Sequence, residues 1–175
     1  LDEALATQAI DGAVLGDELR RIGYAGSAPL DLPTPEAYVE LHIEQGPVLD
    51  IEGIPIGAVE NLQGISWQEI TITGQSNHAG TTPMRMRHDA GFAAAAIAGF
   101  VRQLARDMGG SQVATVGKID LQPNLINVIA ARATLTVDLR NTDETRLQYA
   151  EQRLSDYLDD LSVAEGVKIV RRRLA

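Results

Sequence analysis

Three histidines are the residues most able to do chemistry here, and each has a different setting. His42 lies within Glu40-Leu41-His42-Ile43-Glu44-Gln45-Gly46-Pro47. In an extended strand alternate side chains share a side, so Glu40, His42 and Glu44 would face one way. That grouping suits a divalent metal, and it equally suits the polar side of a solvated edge strand. His78 sits in the small-residue stretch Ser76 to Met84, where Gly74, Gly80 and Pro83 set the backbone and Asn77, Thr81 and Thr82 bring donors near the ring. Such a loop can present an imidazole to an oxyanion, or it is a capped turn whose polar groups only satisfy the backbone. His88 follows Arg85 and Arg87 and opens a helix beside Asp89, a position for a solvated or capping ring. No two histidines stand at the i, i+4 spacing of paired ligands on a helix, so the chain holds no complete metal site in linear form. Asn127 and Arg140 bracket a predicted strand, where an amide and a guanidinium fork could hold a carboxylate. Arg140 could equally pair with Asp138, Asp143 or Glu144.

These residues depend on elements that place them. Asp89 to Met108 is the clearest helix, because Ala93, Ile97, Phe100, Val101, Leu104 and Met108 recur at helical spacing and Gly109-Gly110 ends it. Its apolar stripe requires a sheet. Ser66 to Thr73 alternates through Trp67, Glu69, Ile70 and Ile72, and Gly74 to Met86 is a long polar loop. Val113 to Ile119 and Asn127 to Asp138 read as strands, with Pro123-Asn124 between them. Asn141 and Glu144 have the form of a capping box for a helix from Asp143 to about Leu161, with Leu147, Leu154, Leu158 and Leu161 on one face. Val167 to Leu174 closes the pattern. The order βαββαβ predicts an α+β, ferredoxin-like arrangement of two helices on one face of a four-stranded antiparallel sheet.

Ahead of this lie a helical stretch at Val14 to Ile22, a proline-rich connector from Gly26 to Pro35, and a strand-like run from Tyr38 to Ile43. A short helix through Leu49 and Ile51 and an extended run from Ile54 to Val59 follow. The organisation changes near Gly64, which predicts two domains, 1–63 and 64–175.

The chain has 175 residues, a net charge of −9 and no cysteine. An acidic surface repels phosphate backbones and anionic headgroups, which argues against electrostatic binding to nucleic acid or membrane and leaves small molecules and proteins as partners. Without cysteine there is no disulfide framework, thiolate metal site or cysteine nucleophile, and a cytoplasmic setting is expected. The longest apolar stretch, Ala90 to Val101, is too short to span a bilayer. Leu1-Asp2-Glu3 lacks both the basic start of a signal peptide and an initiator Met, which points to a truncated chain.

Three motifs in order carry a family resemblance: Glu-Leu-His-Ile-Glu-Gln-Gly-Pro at 40–47; Asn-His-Ala-Gly-Thr-Thr-Pro-Met at 77–84, followed by Arg87 and Asp89-Ala90; and Pro-Asn-Leu-Ile-Asn-Val-Ile at 123–129, followed by Asp138 and Arg140. Together they resemble the hydantoinase and carbamoylase branch of the M20-type binuclear metallohydrolases, which includes N-carbamoyl-L-amino-acid hydrolases, β-ureidopropionases and allantoate amidohydrolases. The resemblance covers nearly the whole chain. It implies that 1–63 is part of an α/β metal-binding catalytic domain and that 64–175 is a lid domain through which two copies form a homodimer. It implies His42 as a ligand of one of two divalent metals (zinc, manganese or cobalt) and Gln45 as part of the substrate pocket. By the same resemblance, His78 polarises the scissile carbonyl as a catalytic group, and with Asn127 and Arg140 it binds a small ureido acid, often in the partner subunit's site.

The implied reaction is metal-assisted hydrolysis of a carbamoyl or ureido C–N bond, with a glutamate relaying the proton. That glutamate, the family's upstream His and Asp ligands, its paired glutamates and its last histidine have no counterpart here, and Glu40 or Glu44 does not replace them. The chain is therefore expected to be an internal fragment, inactive alone, of a larger enzyme. Ala130-Ala131 departs from the family's usual Pro-Gly, which puts the turn geometry in question. Two other readings stand beside this one: a ferredoxin-like dimerisation or binding module without chemistry, and an aminoacylase or peptidase of the same superfamily.

Overall fold

The structure, a computed structural model, describes residues 1–28 and 33–175 and falls into two units, Leu1–Ile56 and Gly57–Ala175. The middle of the predicted connector, 29–32, lies outside the described residues.

In the first unit the helices are short: α1 (Asp2–Leu5), α2 (Leu15–Arg21) and α3 (Val48–Glu52). The predicted Val14 to Ile22 helix is α2, and Arg20–Asp17 and Arg21–Glu18 pair along its exposed side at 2.5 and 2.7 Å. The predicted turn of helix through Leu49 and Ile51 is α3, which Gly53 ends at a φ of 68°, a left-handed conformation that glycine adopts without steric cost. Tyr38 to Ile43 is not a strand, contrary to the sequence reading, and neither is Ile54 to Val59. A strand exists only where a neighbour takes up its N–H and C=O groups, and among the described residues nothing pairs with either run. Gly16 is the single buried residue among those described in this unit.

The second unit is the βαββαβ arrangement: β1 (Gly64–Thr73), α4 (Ala90–Met108), β2 (Val113–Gln122), β3 (Arg132–Asn141), α5 (Glu144–Glu165) and β4 (Lys168–Arg173). Every pairing is antiparallel and the strand order is β2-β3-β1-β4. Asp89 caps α4 by accepting the N–H groups of Gly91 and Phe92. Ala93, Ile97, Val101 and Leu104 of α4 and Leu147, Leu154, Leu158 and Leu161 of α5 pack on Ile70, Ile72, Leu135, Val137 and Leu139 of the sheet. Each buried aliphatic side chain contributes about 1.5–3 kcal/mol. Phe100 and Tyr157 stack at 3.9 Å where the two helices meet.

Three details depart from the sequence reading. The helix cap of α5 is Asp143, which accepts from the N–H of Arg146, and not Asn141. Asn141 is instead buried, donating to Gln112 and accepting the N–H of Asp143. β3 begins at Arg132, so Asn127 lies in a turn ahead of it. On β1, the alternation that reaches the core is Ser66, Gln68, Ile70 and Ile72, and Trp67 faces the sheet side without helices. Ser66 donates to Glu151 and accepts from Gln68, whose Oε1 has no partner among the described residues. The two edges of the sheet also differ. β4 is basic, with Arg171 and Arg173 opposite Ile70 and Gln68 on the helix-bearing face and Arg172 paired with Glu69 on the other. β2 carries a register shift between Val116 and Lys118 and leaves Val113 and Ile119 nearly half exposed.

Candidate functional site

His78 and Asn127 are brought together by backbone pairing. His78 and Val128 form an antiparallel bridge, with the N–H of Ala79 donating to the carbonyl of Asn127 and that of Ile129 to Asn77, both at 2.9 Å. Ser76 adds a hydroxyl bond to the carbonyl of Ile129. The Ala130-Ala131 turn is held by the N–H of Ala131 to Gln122, and by the Ala130 and Ala131 carbonyls accepting from Ala90 and Gly74. A Pro-Gly pair would offer those same groups, so the departure leaves the turn intact.

The imidazole of His78 is exposed, and its Nδ1 accepts the N–H of Gly80 at 3.1 Å. In the neutral ring this places the proton on Nε2, where it can be donated outward. A Cβ at position 80 would lie 3.2 Å from the ring, so glycine keeps this arrangement free of crowding. Arg87 ties the loop from behind, donating from Nε to the carbonyl of Thr82 and from Nη2 to that of Ala79. Sequence reasoning did not single out Arg87 for this role; its presence beside the histidine motif was the only signal.

Gly74 is required by sterics: a Cβ there would meet the carbonyl oxygen of His88 at 2.0 Å. His88 does act as a capping ring, but for the far end of another helix. Its Nδ1 lies 3.3 Å from the carbonyl of Glu165, the last residue of α5.

Arg140 is not near His78. It stands eight residues along β3 from Arg132, or roughly 27 Å at the rise of a strand. Its Nε and Nη2 bind Asp138 at 2.8–3.1 Å, so the ion pair weighed from the sequence is formed, and not with Asp143 or Glu144. Hydrogen bonding to Asp138 raises the pKa of a group that is charged at every accessible pH. The guanidinium carbon also lies 6.0 Å from the centre of the Trp67 ring.

In the first unit, His42 is exposed and its Nδ1 contacts the carbonyl of Ile43. Without a strand, the geometric reason for placing Glu40 and Glu44 beside it is gone. Glu40 accepts from the Tyr38 hydroxyl, and Glu44 caps α3 through the N–H groups of Val48 and Leu49. No group of three His, Asp or Glu residues stands within reach of one ion among the described residues, so the described side chains do not by themselves compose a metal centre. Gln45 has a φ of 55°, the one positive value at a non-glycine residue among those described. Such backbone is sterically disfavoured and concentrates at ligand sites.

A motif at a sheet end, a left-handed glutamine and a clamped arginine are the features against which relatives can be compared. The sequence profile of the M20 peptidase dimerisation domain matches residues 61–165. The chain belongs to this family. Across nearly all of its length it is 38% identical to an N-carbamoyl-L-amino-acid amidohydrolase of Rhizobium meliloti, covering 98% of this chain and 39% of that protein. It is 42% identical over 121 residues to the allantoate amidohydrolase of Escherichia coli, which is 69% of this chain and 29% of the enzyme. The crystal structure of a hydantoinase/carbamoylase family amidase from Burkholderia ambifaria superposes with a TM-score of 0.89 at 37% identity, covering 99% of this chain and 43% of that one. The M20 chain thus spans about two fifths of the length of the first and third of these proteins. No helix among its described residues is long and apolar enough to cross a membrane.

Proposed function

We propose that the longer protein containing this chain is a cytoplasmic amidohydrolase cleaving the carbamoyl or ureido C–N bond of a small acid such as an N-carbamoyl amino acid or allantoate. Residues 1–63 would belong to its catalytic domain and 64–175 to its lid. The observation that carries the reading is the exposed ring of His78, whose Nδ1 accepts from Gly80 and so leaves Nε2 to carry the proton of the neutral ring. An oxyanion donor needs such a proton, and the loop that bears it pairs through its backbone with the segment of Asn127 and Val128. The names of the relatives supply the bond to be broken. Arg140 would take the substrate carboxylate and Gln45 would shape the pocket. Two divalent ions, zinc, manganese or cobalt, are part of the proposal; His42 would contribute one ligand, and the rest of the shell would come from outside this chain. By itself the chain binds and orients, and it is expected to be inactive.

The distance between Arg140 and the His78 loop supports a homodimer. Roughly 27 Å of strand separates Arg140 from Arg132, at the end of β3 where the His78 loop is held, and Arg140 and His78 would both have to meet one small substrate. Two copies resolve this if His78 and Asn127 of one protomer complete the site that holds Arg140 of the other. The β2 edge, with its half-exposed Val113 and Ile119, is the surface this assembly would use.

The test is steady-state kinetics on the complete protein with a panel of N-carbamoyl amino acids, allantoate and an N-acyl amino acid. His78→Ala should lower kcat by about 100-fold or more. Mixing His78→Ala with Arg140→Ala subunits should restore part of the activity, since half the sites of a mixed dimer are intact. No recovery on mixing, in subunits shown to exchange, would sink the shared-site reading; turnover of the N-acyl substrate alone would move the enzyme to the aminoacylases.

A further inference from the structure

A guanidinium can be held on three surfaces: its flat face, its side-on edge of Nε and Nη2, and its end-on edge of Nη1 and Nη2. In Arg140 the side-on edge is already engaged. Asp138 takes the side-on edge through three contacts of 2.8–3.1 Å, and the guanidinium carbon stands over the Trp67 ring, 6.0 Å from its centre, at the outer limit of cation–π attraction. Nη1 makes no hydrogen bond among the described residues.

The sheet register explains how this comes about. Asp138 and Arg140 stand two apart on β3 and so point to the same side, and Trp67 of β1 lies directly opposite Asp138. That side of the sheet carries no helix of its own unit, so the clamp is built at the surface, with the Asp138 and Arg140 side chains only about a third exposed.

We propose that Asp138 and Trp67 are positioning residues that fix Arg140 so that its end-on fork alone meets a ligand carboxylate. This rests on the reading of Arg140 as the carboxylate-binding group. Asp138 cancels the charge of Arg140 at short range, so the clamp selects by direction and not by attraction. The two accounts then make opposite predictions. If charge alone mattered, Asp138→Ala would leave the arginine unopposed and tighten carboxylate binding. If orientation matters, the same change frees the side chain and weakens it.

The experiment compares wild type, Asp138→Ala, Asp138→Asn and Arg140→Ala of the complete protein on an N-carbamoyl amino acid and on the same compound with its carboxylate replaced by a carboxamide. Asp138→Ala should raise KM for the acid about tenfold with kcat little changed, and leave KM for the carboxamide unaltered. Asp138→Asn, which keeps one acceptor oxygen, should fall between, and it serves as the readout if the alanine variant does not fold.

A lower KM for the acid in Asp138→Ala, or equal losses on both substrates, would overturn the proposal. If Arg140→Ala affects acid and carboxamide alike, the carboxylate role of Arg140 fails instead. Independently of turnover, the Nε–H of Arg140 in the 175-residue chain should exchange slowly with solvent by nitrogen-detected NMR and become fast in Asp138→Asn. Fast exchange in the wild type would show that the clamp does not hold, whatever the kinetics.

Discussion

Tyr38 to Ile43 and Leu135 to Arg140 are six-residue runs with the same alternation of apolar and polar side chains, yet only the second is a strand. Leu41 is 91% exposed and Leu135 is fully buried. The difference lies outside the runs. Leu135 has β1 and β2 on its two sides and α4 and α5 beneath it, whereas the described residues of the first unit supply Leu41 with neither a strand to pair with nor a face to cover it. Alternation specifies which side of a strand turns inward, and a partner decides whether there is a strand at all.

The largest expected contrast is in amide exchange. The amides of Leu135, Val137 and Leu139 should be protected by about three orders of magnitude or more over those of Val39, Leu41 and Ile43, because the former open only with the core. Similar protection in both runs, measured by NMR or mass spectrometry on this chain, would break the comparison. A smaller contrast is in stability: Leu154→Ala should cost about 2–5 kcal/mol in urea unfolding, and Leu41→Ala within about 0.5 kcal/mol. Repeating Leu41→Ala in the complete protein sharpens the point, since a large cost there would show that other residues cover it.

The smallest contrast concerns pH. Burial, with Glu165 adding to it, raises the pKa of the Tyr157 hydroxyl. The folded chain resists its ionisation, so the associated stability is present below the unfolded value of about 10 and is lost as pH rises through the folded one. Melting temperature should fall less steeply above pH 10 in Tyr157→Phe, which keeps the stack on Phe100.

The helices were legible because their patterns are long: five turns of α4 repeat an apolar stripe, and Asp89 and Gly109 mark its ends. β3 was legible from Leu135 onward for the same reason. Its start was not, because Leu125 to Ile129 is as strand-prone as the strand itself, and only the distant His78 loop, pairing through Val128, shows where the segment turns. The sequence reading places the cap of α5 two residues early, at Asn141, because a capping-box pattern does not show that Asn141 is buried against Gln112 and that Asp143 takes the N–H of Arg146. At the candidate site, residue types could be read from the motifs. The ring orientation set by Gly80, the staple from Arg87 and the side-on grip of Asp138 are three-dimensional facts with no periodic trace. The pairing of His42 with two carboxylates was an artefact of assuming a strand.

The basic β4 edge gives the sheet a valence. A sheet with two equivalent open edges can add a copy at each and grow without limit into a fibre. Here β4 carries Lys168, Arg171, Arg172 and Arg173; Arg172 and Arg173 are matched by Glu69 and Glu151, and the remaining Lys168 and Arg171 would oppose a second copy of the same strand. If β2 is the edge that pairs, an edge-to-edge association of this chain would saturate after a single partner.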